Sequence, residues 1–442
     1  MQRPDSTVTR DAQSLQPTPV HRLPPELLCE IFIDLVSMSE TEWSEAATII
    51  PHSVAHVCVR WRAVAHGCAQ LWTTISSRAN PATIDAQLRY SSGLPLRIVY
   101  RGGGPGSKNL PREWYLAPFV ERLRSLAHRW QSINLTASCS VLSSIPPINA
   151  LPMLSRAILD MNDRYDGKAL DFMTNATTLR ELYLDIDATQ NIALHTDRLH
   201  LPLFPSLTLL NITVKEYTVL GWLFPAIVQC APTLVDLVIA VEDCMLSYDP
   251  LQRGDWRRTR SFPALKTLDL AGRMHGLLPY IDAPHLRSLT LRNNSMNGDP
   301  FPSLHRLLTW HAYVPPITSL ELREIGVADS SAFLVCLPLM VDLRYLAVSY
   351  SEEPGQYLIN IRRCAFTESV LNRLADGDEA PLLPALVSLD VYFPRSTRKE
   401  SDALLRFVYL RELSQDQGTR AVAALQFVKI QTAFYKLSHG LV

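Results

Sequence analysis

From Leu23 to Val36 the chain reads LPPELLCEIFIDLV, with Leu27, Leu28, Ile31, Phe32 and Leu35 recurring at helical steps. That period places a broad apolar stripe along a helix. Pro24 and Pro25 open it where missing amide donors do no harm, and Glu26 falls in the first turn, where a carboxylate suits the helix dipole. SVAHVCVRWRAVAH (53–66) predicts a second helix with Val54, Val57, Cys58, Trp61 and Val64–Ala65 on one side. Leu71 and Trp72 follow, and Pro81–Tyr90 predicts a third helix. Helices this short with such wide apolar faces bury little surface alone, so a partner or a following domain must complete them.

From about residue 130 another period takes over: Leu, two residues, Leu, one residue, Leu. It appears as LRELYL (179–184), LTLLNI (207–212), LVDLVI (234–239), LKTLDL (265–270), LRSLTL (286–291), ITSLEL (317–322), LRYLAV (343–348) and LVSLDV (386–391). Weaker copies begin at Trp130 and Leu154. Each copy predicts a short strand with one apolar side, and the spacing of about 21 to 31 residues is that of leucine-rich repeats. The longer gap from Leu343 to Leu386 implies an insertion.

Apolar helical patterns at Thr218–Ala231, Pro302–His311, Ala332–Val341 and Thr367–Ala375 fill the intervals. The pairs Phe204-Pro205, Ala231-Pro232, Phe262-Pro263 and Ala283-Pro284 put a helix breaker ahead of each following strand. The predicted fold class is α/β: a short all-α N-terminal motif, then an irregular leucine-rich-repeat solenoid with parallel strands lining a concave face and helices on the convex side. Residues 1–20 read as a disordered tail, 21–92 as the helical motif, 93–129 as a linker and cap, and 130–442 as the solenoid. A doubly wound enzyme also alternates strand and helix, but no glycine fingerprint follows any strand.

Composition narrows the function classes. Hydrophobic residues make up 47% and charged residues 19%, enough for an extensive core. A net charge of −1 gives no reason to expect nucleic acid or an anionic membrane as partner. The polar first twenty residues carry no export signal, and no run reaches the roughly 18 apolar residues of a membrane span. The eight cysteines are scattered without a Cys-x-x-Cys pair, the usage of reduced, buried thiols, so the expected location is cytoplasmic, nuclear or both.

His52, His56, Cys58, His66 and Cys68 are metal-ligand types, but their spacing fits no familiar zinc pattern, and no metal is expected. Arg101–Asn109 echoes a phosphate loop without the glycine before Lys108 and with Asn109 where Ser or Thr would hold magnesium; it reads as a flexible link. No nucleophile–base or paired-acid constellation stands out. The expectation is a protein without cofactor or catalytic activity.

LPPELLCEIF, then VCVRWRAVA, then LW resemble the F-box motif in the variant abundant among mushroom-forming fungi. The matching positions are Leu23, Pro24, Glu26, Leu27, Leu28, Ile31, Phe32, Val57, Cys58, Trp61, Arg62, Leu71 and Trp72. The resemblance covers about fifty residues and departs from the animal motif in the longer polar stretch Ser37–Thr48. It implies a substrate-recognition subunit of an SCF-type cullin-RING ubiquitin ligase. Leu23, Pro24, Pro25, Glu26, Leu27, Leu28, Ile31, Phe32, Val57, Cys58, Trp61, Leu71 and Trp72 would dock a Skp-family adaptor and through it a cullin, and the repeats would bind a protein target. The alternative is an F-box-bearing scaffold with no role in ubiquitylation.

Within each repeat, residues alternating with the buried leucines face outward. They are Asp160, Glu181, Tyr183, Asp185, Asn211, Asp236, Asp269, Arg292, Glu321, Arg323, Tyr345, Asp390 and Tyr392, the expected target-binding set. The early strands are acidic, whereas Arg292 and Arg323 suggest a locally basic later region.

Overall fold

The computed structural model describes residues 19–39, 46–102, 115–162, 167–187, 199–215, 220–241, 259–292, 299–310, 313–325, 331–350, 367–375, 382–393, 396–416, 423–432 and 435–440. Most of the N-terminal tail and of the glycine-rich segment after Arg101 lie outside these residues. The chain divides into two compact units, residues 1–97 and 98–442.

Unit 1 holds α1 (Pro25–Ser39), α2 (Ala46–Val57), α3 (Val59–Gly67), β1 (Thr74–Ser76) and α4 (Pro81–Tyr90); β2 (Leu96–Arg101) crosses the boundary. The predicted third helix is α4. The Asn80 side chain accepts the Thr83 N–H at 2.8 Å and Pro81 opens the first turn, two local devices that stop the helix from fraying. The single helix expected over 53–66 is instead two. Cys58 turns extended (φ −159°, ψ 170°) and its sulfur accepts the Trp61 N–H, starting α3 afresh. Leu28, Phe32, Val36, Val54, Ala55, Ala65, Leu71 and Trp72 form a small core.

Unit 2 continues through α5 (Leu116–Leu123), β3 (Trp130–Ser138), α6 (Cys139–Ser143), β4 (Arg156–Asn162), β5 (Glu181–Asp187), β6 (Leu209–Val214), α7 (Leu220–Cys230) and β7 (Asp236–Val241). Next come β8 (Arg260–Ser261), β9 (Thr267–Ala271), β10 (Ile281–Asp282), β11 (Ser288–Arg292), α8 (Phe301–Thr309), β12 (Ser319–Arg323), α9 (Ser331–Cys336) and β13 (Tyr345–Ser349). The chain closes with α10 (Glu368–Ala375), β14 (Ser388–Phe393), α11 (Arg398–Asp416), β15 (Phe427–Thr432) and β16 (Lys436–Gly440).

From β3 to β15 the strands of the main sheet pair in parallel with their neighbours in chain order, while β8 and β10 form a separate pair. The register is in phase from repeat to repeat. Leu182, Leu210, Leu237, Leu268, Leu289, Leu320, Leu346, Leu389 and Val428 stand side by side in one row, and all are buried. The physical cause is the two-residue period: a one-residue slip would turn every leucine to the other side of the sheet. Before β6 and β9 the proline acts more locally than a helix stop. Leu207 N–H bonds to Phe204 O at 3.1 Å and Leu265 N–H to Phe262 O at 3.2 Å, so Pro205 and Pro263 occupy the second position of a tight turn, where their fixed φ belongs.

The sheet contains one further copy of the repeat, beginning at Leu425. Leu425, Val428 and Ile430 are buried in the same phase, and β15 pairs with β14 although the nineteen-residue α11 lies between them. The expected insertion between Leu343 and Leu386 contains α10, as its apolar pattern predicted. The antiparallel β16 covers β15 and ends the parallel order. No helix among the described residues is long and apolar enough to cross a membrane.

Candidate interaction surfaces

In unit 1 the apolar stripe of α1 serves two directions. Leu28, Phe32 and Val36 enter the core, while Leu27, Ile31 and Leu35 on the other side stay 50%, 44% and 44% exposed. A fifteen-residue helix with apolar residues on both sides is more than one small core can absorb. Val57 closes α2 and Val59 opens α3, and the break at Cys58 leaves both outside, Val59 79% exposed.

Of the residues expected at an adaptor interface, Pro24, Pro25, Glu26, Leu27, Ile31 and Val57 are exposed, and Leu23, Cys58 and Trp61 are half-buried. Leu28, Phe32, Leu71 and Trp72 belong to the interior and offer a partner nothing. Trp72 donates from Nε1 to Ala65 O at 2.7 Å, and the Phe32 and Trp61 rings lie 5.0 Å apart, so these aromatics hold the helices together. Leu35, Ile49 and Val59 are exposed apolar residues that the expected set omitted. Val57 and Val59, two residues apart, were the available signal, because one continuous helix could not bury both.

Two further features of unit 1 were not foreseen. Cys29 and Cys68 are joined as a disulfide, against the expectation of reduced thiols, because folding brings their Cα atoms to 6.2 Å. His52 sits edge-on to Trp72, with ring centroids 5.2 Å apart, and its Nε2 is buried without a hydrogen-bond partner. Burial, then the charges of His56 and His66, push its pKa below the usual histidine value. Among the described residues no group of His, Cys, Asp or Glu is gathered so as to hold a metal ion.

In unit 2 the strands bury alternate side chains and leave the others half-exposed. All thirteen outward positions chosen from the sequence lie on that half-exposed face, in three rows across the sheet. One row contains Glu181, Asp236 and Tyr345, the next Tyr183, Asn211, Asp269, Glu321 and Asp390, and the third Asp160, Asp185, Arg292, Arg323 and Tyr392.

The charges along these rows correct the expected basic region. Arg292 pairs with Asp269 at 2.9 Å and Arg323 with Glu321 at 2.7 Å, so both arginines are locally neutralised. Arg156 pairs with Glu181 at 3.3 Å and lies over the Tyr183 ring, Lys215 pairs with Asp185 at 2.9 Å, and Lys429 with Asp390 at 3.2 Å. Among the described residues, Asp160 and Asp236 add to the carboxylates of these pairs on the β4–β7 side. Burial, then the neighbouring Asp185, raise the Asp160 carboxyl above its ordinary pKa. Like charges directly across a strand pair repel.

The sulfurs of unit 2 have a different environment. Burial pushes the Cys230 and Cys336 thiols up to about 12, which makes them poor nucleophiles. No protein-family model matches the chain, and no curated protein matches it either.

Proposed function

We propose that the chain is an F-box-type substrate receptor with a leucine-rich-repeat solenoid. In this reading unit 1 docks a Skp-family adaptor and, through it, a cullin, while the half-exposed sheet face of unit 2 holds the target. The observation that carries it is the two-sided apolar helix α1. Its motif residues Leu28 and Phe32 make the core, and Leu27 and Ile31, with Leu35 beside them, remain outside. An outward apolar stripe on a small helical unit is what a helix-binding partner covers. The receptor contributes proximity and no bond-making group. Among the described residues of the sheet face, carboxylates outnumber cations between β4 and β7, which suits a basic segment of the target.

The test uses the full chain. Leu27→Asp with Ile31→Asp keeps the buried residues and charges the outer stripe, and is expected to abolish co-purification with a recombinant Skp-family adaptor while circular dichroism stays unchanged. Undiminished adaptor recovery from that variant would falsify the docking assignment. For the target, Asp236→Lys with Asp160→Asn should reduce recovery of captured proteins without altering adaptor recovery. Capture with and without a block on cullin activity then separates a ligase receptor, whose targets accumulate under the block, from a scaffold.

A further inference from the structure

Cys29 and Cys68 stand 39 positions apart in the chain and are joined in unit 1. Cys29 lies on α1 between buried Leu28 and exposed Ile31, on the helix that carries the outward stripe. Cys68 ends α3, where its N–H bonds back to Val64 O and Ala65 O, and it opens the short turn Ala69–Trp72 that delivers Leu71 and Trp72 to the core. The bond therefore closes a loop containing α2 and α3 and ties the stripe-bearing helix to the far end of the core. A core this small gains more from such a tie than a large one does.

We propose that the Cys29–Cys68 pair is a redox-sensitive staple that sets how firmly unit 1 presents its apolar stripe; the consequence for binding rests on the docking reading above. Opening is thiol–disulfide exchange with a low-molecular-weight thiol such as glutathione. The attacking thiolate approaches Cys29, which is half-buried, in preference to the buried Cys68. The protein S–S bond breaks, a mixed disulfide forms on Cys29, and Cys68 leaves as a thiolate and takes up a proton. A second small thiol attacks the mixed disulfide, releasing the Cys29 thiol and one small-molecule disulfide. Two protein sulfurs are thereby reduced and two small thiols oxidised.

The closed loop restricts the unfolded chain, so the oxidised unit resists opening. A helix already held in place also loses less freedom when a partner covers it. Reduction leaves the core residues where they are but removes the tie between α1 and the end of α3. The oxidised chain therefore presents the stripe in its binding geometry, and the reduced chain presents it less often.

The test equilibrates the full-length chain in glutathione mixtures from reducing to oxidising, traps thiols by alkylation, and locates cross-links by peptide mass spectrometry. A Cys29–Cys68 peptide is expected at the oxidising end. Hydrogen exchange of the α1 amides is expected to be about tenfold faster in the reduced chain, and the Kd for a recombinant Skp-family adaptor several-fold weaker. Cys29→Ser, and separately Cys68→Ala, should behave as the reduced form at every glutathione ratio; if one variant misfolds, the other carries the comparison. Absence of the cross-link throughout, or a cross-link whose reduction changes neither exchange nor affinity, overturns the proposal. Redox-dependent exchange with no adaptor binding in either state sinks the docking reading and leaves the staple standing.

Discussion

The Arg292 guanidinium lies 2.9 Å from the carboxylate of Asp269 on the neighbouring strand. Burial holds the Asp269 carboxyl above its ordinary value of 3.8 despite this cation, so desolvation outweighs attraction. Arg292→Ala leaves the carboxylate without its cation and should destabilise the sheet by about 1–2 kcal/mol at neutral pH. Asp269→Asn should cost less. The arginine penalty should fade as pH falls through the raised value and below 3.8, because the carboxyl is then protonated in both folded and unfolded chains. Urea unfolding of both variants across this range checks the order and the fade.

Trp72 combines a fully buried ring with a hydrogen bond from Nε1 to Ala65 O. Trp72→Phe keeps most of the packing and loses the donor, for an expected loss of about 1–2 kcal/mol. Trp72→Ala opens a cavity and should cost about 3–5 kcal/mol. Thermal denaturation of unit 1, followed by hydrogen exchange within the full chain, separates the two. Equal losses would mean that the hydrogen bond, rather than the ring volume, dominates.

His52 makes the stability of unit 1 depend on pH. Its folded pKa lies below the ordinary 6.5, so as pH falls the unfolded chain binds the proton first. Stability is therefore present above 6.5 and drains away as pH falls through that value toward the folded pKa. His52→Phe keeps a ring against Trp72 and should flatten the dependence as pH falls through 6.5. A melting profile with the same slope as the parent chain would remove His52 from this role.

Arg411 anchors α11. Its Nη2 donates to Leu382 O at 2.5 Å and to Leu383 O at 2.9 Å, and the guanidinium lies over the Phe407 ring. Burial brings its pKa down to about 10, still well above neutrality, so the charge is retained. Arg411→Met should destabilise by about 2–3 kcal/mol because both carbonyls lose their donor. Arg411→Lys should recover part of the loss, since both bonds leave the single Nη2 atom and an ammonium also carries several donors on one nitrogen. Chemical denaturation of both variants tests this, and full rescue by lysine would show that charge alone suffices.

Strand positions were legible because their cause is local. Leu182 and Leu184 lie two residues apart, and that spacing selects a buried side in any pleated strand, whatever its neighbours. The copy at Leu425 escaped notice because its second and third apolar positions are Val428 and Ile430 and a long helix precedes it. The break at Cys58 was also hidden. Val54, Val57, Trp61 and Val64 keep helical spacing straight through it, and the sulfur cap that interrupts the helix is a weak signal beside Ser or Asp.

The sequence by itself determined the alternation of strand and helix, the phase of each strand, and the thirteen residues on the half-exposed face. A two-residue period and a turn proline act within a few bonds of the backbone they shape. Tertiary structure decided which apolar residues of α1 are core and which are stripe, because that depends on what approaches the helix from residues 54–72. It also decided the charge of the face. Arg292 and Arg323 look basic along the chain, but Asp269, 23 residues before Arg292, meets it across the sheet, and Glu321 bends to Arg323 within its own strand. Likewise the union of Cys29 with Cys68 follows from the packing of α1 against the end of α3. No spacing rule encodes it, because contact between distant residues is set by the fold as a whole.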